Sequence, residues 1–184
     1  MKHSNIKTQL LRILSGMALI ALMAGLALAP AGSAFADQAT PPAKPDGQAA
    51  RDARLEKVYQ REQDWLNKQT DHLSKATDVV TKIQTFITNQ NAKGKDTSAL
   101  QAALTVFQQQ LATAQSSHAT AAGILGTHNG FDANGQVTDP ALAHQTLVDA
   151  RQSLRDAHST LRQGVLDLHR VLKAYRDANK TPSK

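Results

Sequence analysis

Three histidines carry most of the chemistry that the residue types of this chain allow. His72, His118 and His158 each interrupt apolar residues that recur every seven positions. His72 stands between Trp65 and Val79, His118 between Leu111 and Leu125, and His158 in the column His144, Arg151, Val165, Leu172. Three neutral imidazoles on one level could bind a divalent metal and leave a position open, as catalytic zinc does. Without metal, the same residues would hydrogen-bond one another, Gln69 or water and set the register of packed helices. The second reading is adopted. There is no His-x-x-x-His pair, and the inward carboxylate Glu62 lies nearly three turns from His72. No metal or cofactor is expected, and His72, His118 and His158 stand as the candidate ligands if one is bound.

Other signals are weaker. Asp132, Asn134, Gln136 and Thr138 alternate like early calcium-loop ligands, but Val137 stands where the loop glycine belongs and no glutamate follows at the twelfth place. Lys93-Gly94-Lys95 lacks the leading glycine and the Ser/Thr of a phosphate loop. There is no nucleophile elbow, no dinucleotide loop and no inward carboxylate pair, so an enzyme is not expected. Cysteine is absent, which excludes disulfides, thiolate metal sites and a cysteine nucleophile.

The elements that would position the histidines are long helices. Arg51 to Asn91 repeats in sevens: Val58, Trp65, His72, Val79 and Phe86 lie beside Tyr59, Leu66, Leu73, Val80 and Ile87, with Leu55, Ala76 and Ile83 in a further column. These columns form an apolar stripe. Asp64 and Lys68, Asp71 and Lys75, and Asp78 and Lys82 have the spacing of i,i+4 ion pairs on the outer face. The helix is expected over about 49–92, ending at Lys93-Gly94. A second, over about 98–125, carries Leu104, Leu111, His118, Leu125 and Leu100, Phe107, Ala114, Ala121 inward. Ser98 and Gln101 suggest its capping box.

Between Asp96 and Asp132 there is no Asp, Glu, Lys or Arg. That uncharged face is read as a solvated surface or a self-association surface, since charge depletion marks interface cores. A loop over 126–139 has the hairpin signal Asn134-Gly135, with Phe131 and Val137 placed to cap the bundle. Asp139-Pro140 opens a third helix to about residue 177, with Leu147, Leu154, Leu161, Leu168 and Tyr175 beside Ala150, Ala157, Gly164 and Val171. The fold class expected is all-α: an antiparallel, up-down-up, left-handed three-helix bundle over 51–178.

The tight first turn makes level positions on helices 1 and 2 add to a constant that His72 and His118 satisfy. A third helix finishing flush with that turn brings residue 157 beside them. One histidine layer is the expectation.

Residues 1–36 read as a bacterial-type export signal, with Lys2, Lys7 and Arg12 ahead of the apolar run Ile13 to Ala29 and Ala34-Phe35-Ala36 at the cleavage site. Residues 37–50, with three prolines, read as a flexible leader, and 179–184 as a frayed tail. Cleavage would leave 18 Lys and Arg against 15 Asp and Glu. Most of the excess lies from Arg151 onward and is read as a solvated helix and basic tail, not as a membrane or polyanion site. Few aromatics accompany it, so nucleic acid is not an expected partner. The expectation is a secreted or periplasmic protein with no membrane span after cleavage. It would act as a non-catalytic binding, assembly or chaperone-like module, with a homo-oligomer through helix 2 as one form. The alternative is a small-ligand or metal-binding bundle working through the histidines.

Overall fold

A computed structural model describes residues 47–179. The expected signal peptide, most of the leader and nearly all of the tail lie outside the described residues. Three helices make up the fold: α1, Gly47–Asn91; α2, Ser98–Gly126; and α3, Pro140–Ala178. The described residues are helical but for two connections and contain no strand. None of the helices is long and apolar enough to cross a membrane.

Local chemistry sets the helix ends. Past Asn91 the amides of Lys93 and Lys95 both donate to the Gln90 carbonyl, and Gly94 takes a φ of 69° that favours glycine. The capping box expected at Ser98 and Gln101 does not form. Thr97 is the N-cap residue and its side chain caps nothing. Asp96 accepts from the Ser98 amide at 2.9 Å instead, and that bond holds its carboxyl below the usual carboxylate range. At α3, Asp139 Oδ1 accepts from the amides of Ala141 and Leu142 at 2.9 and 3.1 Å, and Pro140 needs no partner in the first turn.

Cross-helix contacts give the relative directions. Tyr59 meets Leu125, and the Leu66 carbonyl meets His118, so α1 and α2 run in opposite senses. Glu62 meets Arg151 and Gln69 meets Leu154, so α1 and α3 run the same way. The α2–α3 contact is the closest, because Gly164 sits against Phe107 and Gln110. A Cβ there would come within 2.7 Å of Gln110 Oε1 and 3.0 Å of the Phe107 ring.

The apolar interior falls into two clusters. At the end near the short α1–α2 turn, Leu73, Val79, Ile83, Phe86 and Ile87 pack with Leu100, Leu104, Phe107 and Leu111, and with Leu161, Val165, Leu168, Leu172 and Tyr175. At the opposite end, Tyr59 packs with Leu125, Phe131, Ala143, Leu147 and Ala150. The connection between α2 and α3 closes this second end as a clasp. Phe131 and Val137 form an antiparallel bridge, and Phe131 stacks on the Tyr59 ring at 4.3 Å. Gly135, at φ 79°, brings its backbone against that same ring.

The buried stripe of α1 follows most of its expected apolar columns, with Tyr59, Leu73, Ala76, Val79, Ile83, Phe86 and Ile87 all buried. It differs in taking in Glu62, Gln69 and Gln90, while Val58, Trp65 and His72 are only half-buried on its flank. The Asp–Lys spacings on the outer face close no ion pair. The described residues hold four, none of them between those partners. Solvated charges at that distance gain little from contact.

Candidate functional site: a polar belt between two cores

Between the apolar clusters α1 carries Glu62, Gln69 and His72, and α3 answers with Arg151, Leu154 and His158. Glu62 is 2% exposed, and its Oε1 accepts from Arg151 Nε at 2.9 Å and from a terminal guanidinium nitrogen at 2.5 Å. Arg151 keeps a third of its side chain in solvent, so the pair is desolvated on one side only. Two turns along, buried Gln69 donates from Nε2 to the Leu154 carbonyl at 2.7 Å. That carbonyl already serves the α3 ladder, so the bond adds a tie without breaking the helix.

The histidines do not form one layer. His158 lies near enough to His72 across the α1–α3 interface to feel its charge. Burial lowers the pKa of each first. For His72 the next cause is Lys75, with Asp71 opposing; for His158 it is His72 and then Arg162. His118 lies elsewhere, at the α1–α2 interface, with Nε2 at 3.1 Å from the Leu66 carbonyl and 3.2 Å from Thr70 Oγ1. The reason is angular. Thr70 and His72 are two residues apart, a rise of about 3 Å, but about 200° apart around the helix. A shared height therefore placed His118 on the wrong side of α1 to meet the other two. Among the described residues no group of three or more His, Asp or Glu is arranged to hold a metal ion.

Polar ties between elements continue toward the clasp. Tyr59 Oη donates to the Leu125 carbonyl at 3.0 Å and lies 2.9 Å from His128 Nδ1, so with that proton committed the imidazole nitrogen is the donor. Burial raises the Tyr59 pKa, with Gln63 opposing. Glu56 Oε1 accepts from the Val137 amide at 3.1 Å. Asp132 Oδ1 accepts from the amides of Asn134 and Gln136, and these bonds depress its carboxyl, which is occupied in shaping the turn.

Sequence reading missed Glu62, Gln69 and Arg151 as a connected set. The available signal was a Glu and a Gln seven residues apart in the same column as Ala76 and Ile83, a polar interruption of a buried stripe. On the far side of α3, an open groove of about 440 Å³ runs past Thr120, Ile124, Leu142 and Thr146. Its lining includes one ionisable residue, Asp149, which gives it no acid–base pair.

Comparison with protein families, with curated proteins and with solved structures finds no match to this chain.

Proposed function

We propose that this chain is an exported protein of a bacterial cell envelope that works as a non-catalytic binding, assembly or chaperone-like module. In this reading the signal peptide is cut after Ala36, and the mature chain is a heptad-patterned, left-handed three-helix bundle. The observation that carries it is the outer surface of α2. Gln101, Thr105, Val106, Gln108, Ala112, Gln115 and Ala119 are all exposed, and the helix holds no charged residue from end to end. Both neighbouring helices keep charges along their outer faces, so the neutral surface is specific to α2. Charge depletion lowers the desolvation cost of covering a surface and is the compositional mark of interface cores. The polar belt supports the same reading from inside, because Glu62 with Arg151 and the Gln69 amide nitrogen tie α1 to α3.

Sedimentation of the purified protein tests this. A dimer is expected, and Gln108→Glu with Gln115→Glu should shift it to monomer by placing unpaired charge in the contact. A wild type that stays monomeric at every accessible concentration refutes assembly through α2. N-terminal sequencing of exported protein should begin at Asp37.

A further inference from the structure

The charges of α1 and α3 are sorted by side. On α3 the carboxylates Asp149 and Asp156 lie on the flank turned toward α2, where they accept from Gln145 and Gln152. Arg151, Arg155 and Arg162 lie on the opposite flank, turned toward α1. The contact of Arg151 with Glu62 fixes that direction, and Arg155 and Arg162, four and eleven residues on, follow it by the helical period. On α1 the column Arg61, Lys68, Lys75, Lys82 is exposed and stands one step around the helix from Trp65 and His72, on the α3 side. The seam between the two helices therefore has a cationic rim on each side. Its floor is half-buried Trp65, His72 and His158.

These cations are only partly offset on the protein. Among the described residues Arg151 is the only one of them in an ion pair, with Glu62 beneath it. Asp64, Asp71 and Asp78 stand beyond the lysines and close no ion pair with them, although the charge of Asp71 reaches His72.

We propose that the α1–α3 seam binds a linear, phosphate-bearing polyanion lying along the bundle axis. The proposal is independent of self-association through α2, which uses a different face. Rim cations seven residues apart repeat at about 10 Å along each helix, a spacing that a single phosphate cannot bridge and that a polymer with charge on every unit meets in any register. Guanidinium groups suit phosphate oxygens because their donors form a planar fork. A bilayer surface fits less well. It would need clustered apolar anchors beside the charges, and of the exposed large apolar residues Val106, Leu142, Val148 and Leu166, only Val148 and Leu166 share the Arg155 side of α3, about 27 Å apart along it.

The test is binding of long-chain inorganic polyphosphate to the full-length purified protein, followed by Trp65 fluorescence and by titration at several salt concentrations. Saturable binding, a shifted Trp65 emission and a steep loss with salt are expected. Replacing Arg61, Lys68, Arg155 and Arg162 by Gln should weaken binding at least about tenfold and flatten the salt slope by roughly one for each cation that contacts phosphate. Replacing Lys93, Lys95 and Arg170 by Gln removes charge away from the seam and should change it little.

Equal loss per charge removed in the two variants would overturn the proposal in favour of net-charge attraction. Orthophosphate binding as tightly as the polymer, or tighter capture by phosphatidylglycerol vesicles through the same residues, would also overturn it. The seam residues replaced are exposed, and an unchanged melting curve separates lost binding from lost fold. Gln108→Glu with Gln115→Glu should leave polyphosphate binding intact, so failure here and failure of assembly through α2 are read separately.

Discussion

The two ends of the bundle are held by different physics. Around Ile83 the three helices share an apolar core, and no side-chain hydrogen bond crosses between helices among the described residues from Leu73 to Asn91 of α1. Between Glu56 and Thr70 of α1, directed bonds reach α2, α3 and the clasp: Glu56 to Val137, Tyr59 to Leu125, Glu62 to Arg151, Gln69 to Leu154 and the Leu66 carbonyl to His118. Burial is non-directional and is lost by shrinking a side chain. Polar ties are directional and are lost by removing one partner, because the other is left desolvated.

The largest effect should come from the apolar end. Ile83 is fully buried, so Ile83→Ala is expected to cost about 2–5 kcal/mol. Trp65, only partly buried, should cost less on truncation to Ala. Urea midpoints that rank Trp65→Ala above Ile83→Ala would show that the α1 stripe is wrongly placed.

The next test asks whether the belt is held together by its ion pair. Arg151→Met strands the carboxylate of Glu62, which is 2% exposed, whereas Glu62→Gln strands an arginine that can turn further into water. The first should cost about 3 kcal/mol, near the low end for a broken buried pair, and the second less. The double variant should recover most of the loss. If the single replacements cost the same and add without coupling, the pair is not a unit.

The smallest effect is the pH dependence of His72 and His158. Both pKa values are lowered in the fold, so the unfolded chain takes up protons first. Their contribution to stability is full above about pH 6.5. It declines as pH falls through that value toward the lowered folded ones, and is constant below them. Replacing both by Leu should flatten the melting temperature between roughly pH 6.5 and 5, above the carboxylate range. Two ordinary, independent titrations by NMR would show that they do not interact.

What could be read in advance follows from the range of the interactions. The buried residues of α2, from Leu100 through Leu104, Phe107, Leu111, Ala114 and Ala121 to Leu125, are apolar, so their period is visible in a local window. The same holds for Leu147, Leu154, Leu161 and Leu168 of α3. In α1 the buried stripe contains Glu62, Gln69 and Gln90, and a hydrophobic period shifts away from polar positions toward the Val58–Trp65 flank. The column of Glu62 places it inward, but nothing near it in sequence names its partner, which is 89 residues away. Heights along the helices could be estimated from the turn, which is why His72 and His158 fall near one another. The direction in which His118 points depends on how α2 is rotated against α1, and no turn length sets that.

The distance in sequence between Glu62 and Arg151 also bears on the order in which the chain assembles. Both hairpins close through short connections, 92–97 and 127–139, while the ties of α1 to α3 close loops of 85 and 89 residues, so loop entropy favours the α1–α3 ties last. During synthesis α1 is complete while its α3 partners are still unmade. A carboxylate and an amide in the middle of its stripe make that interval safer, since a premature apolar contact there would have to bury both without their partners. Pulse-labelling hydrogen exchange should find the amides around Glu62 protected after those around Phe107, and simultaneous protection would remove this role for the two polar residues.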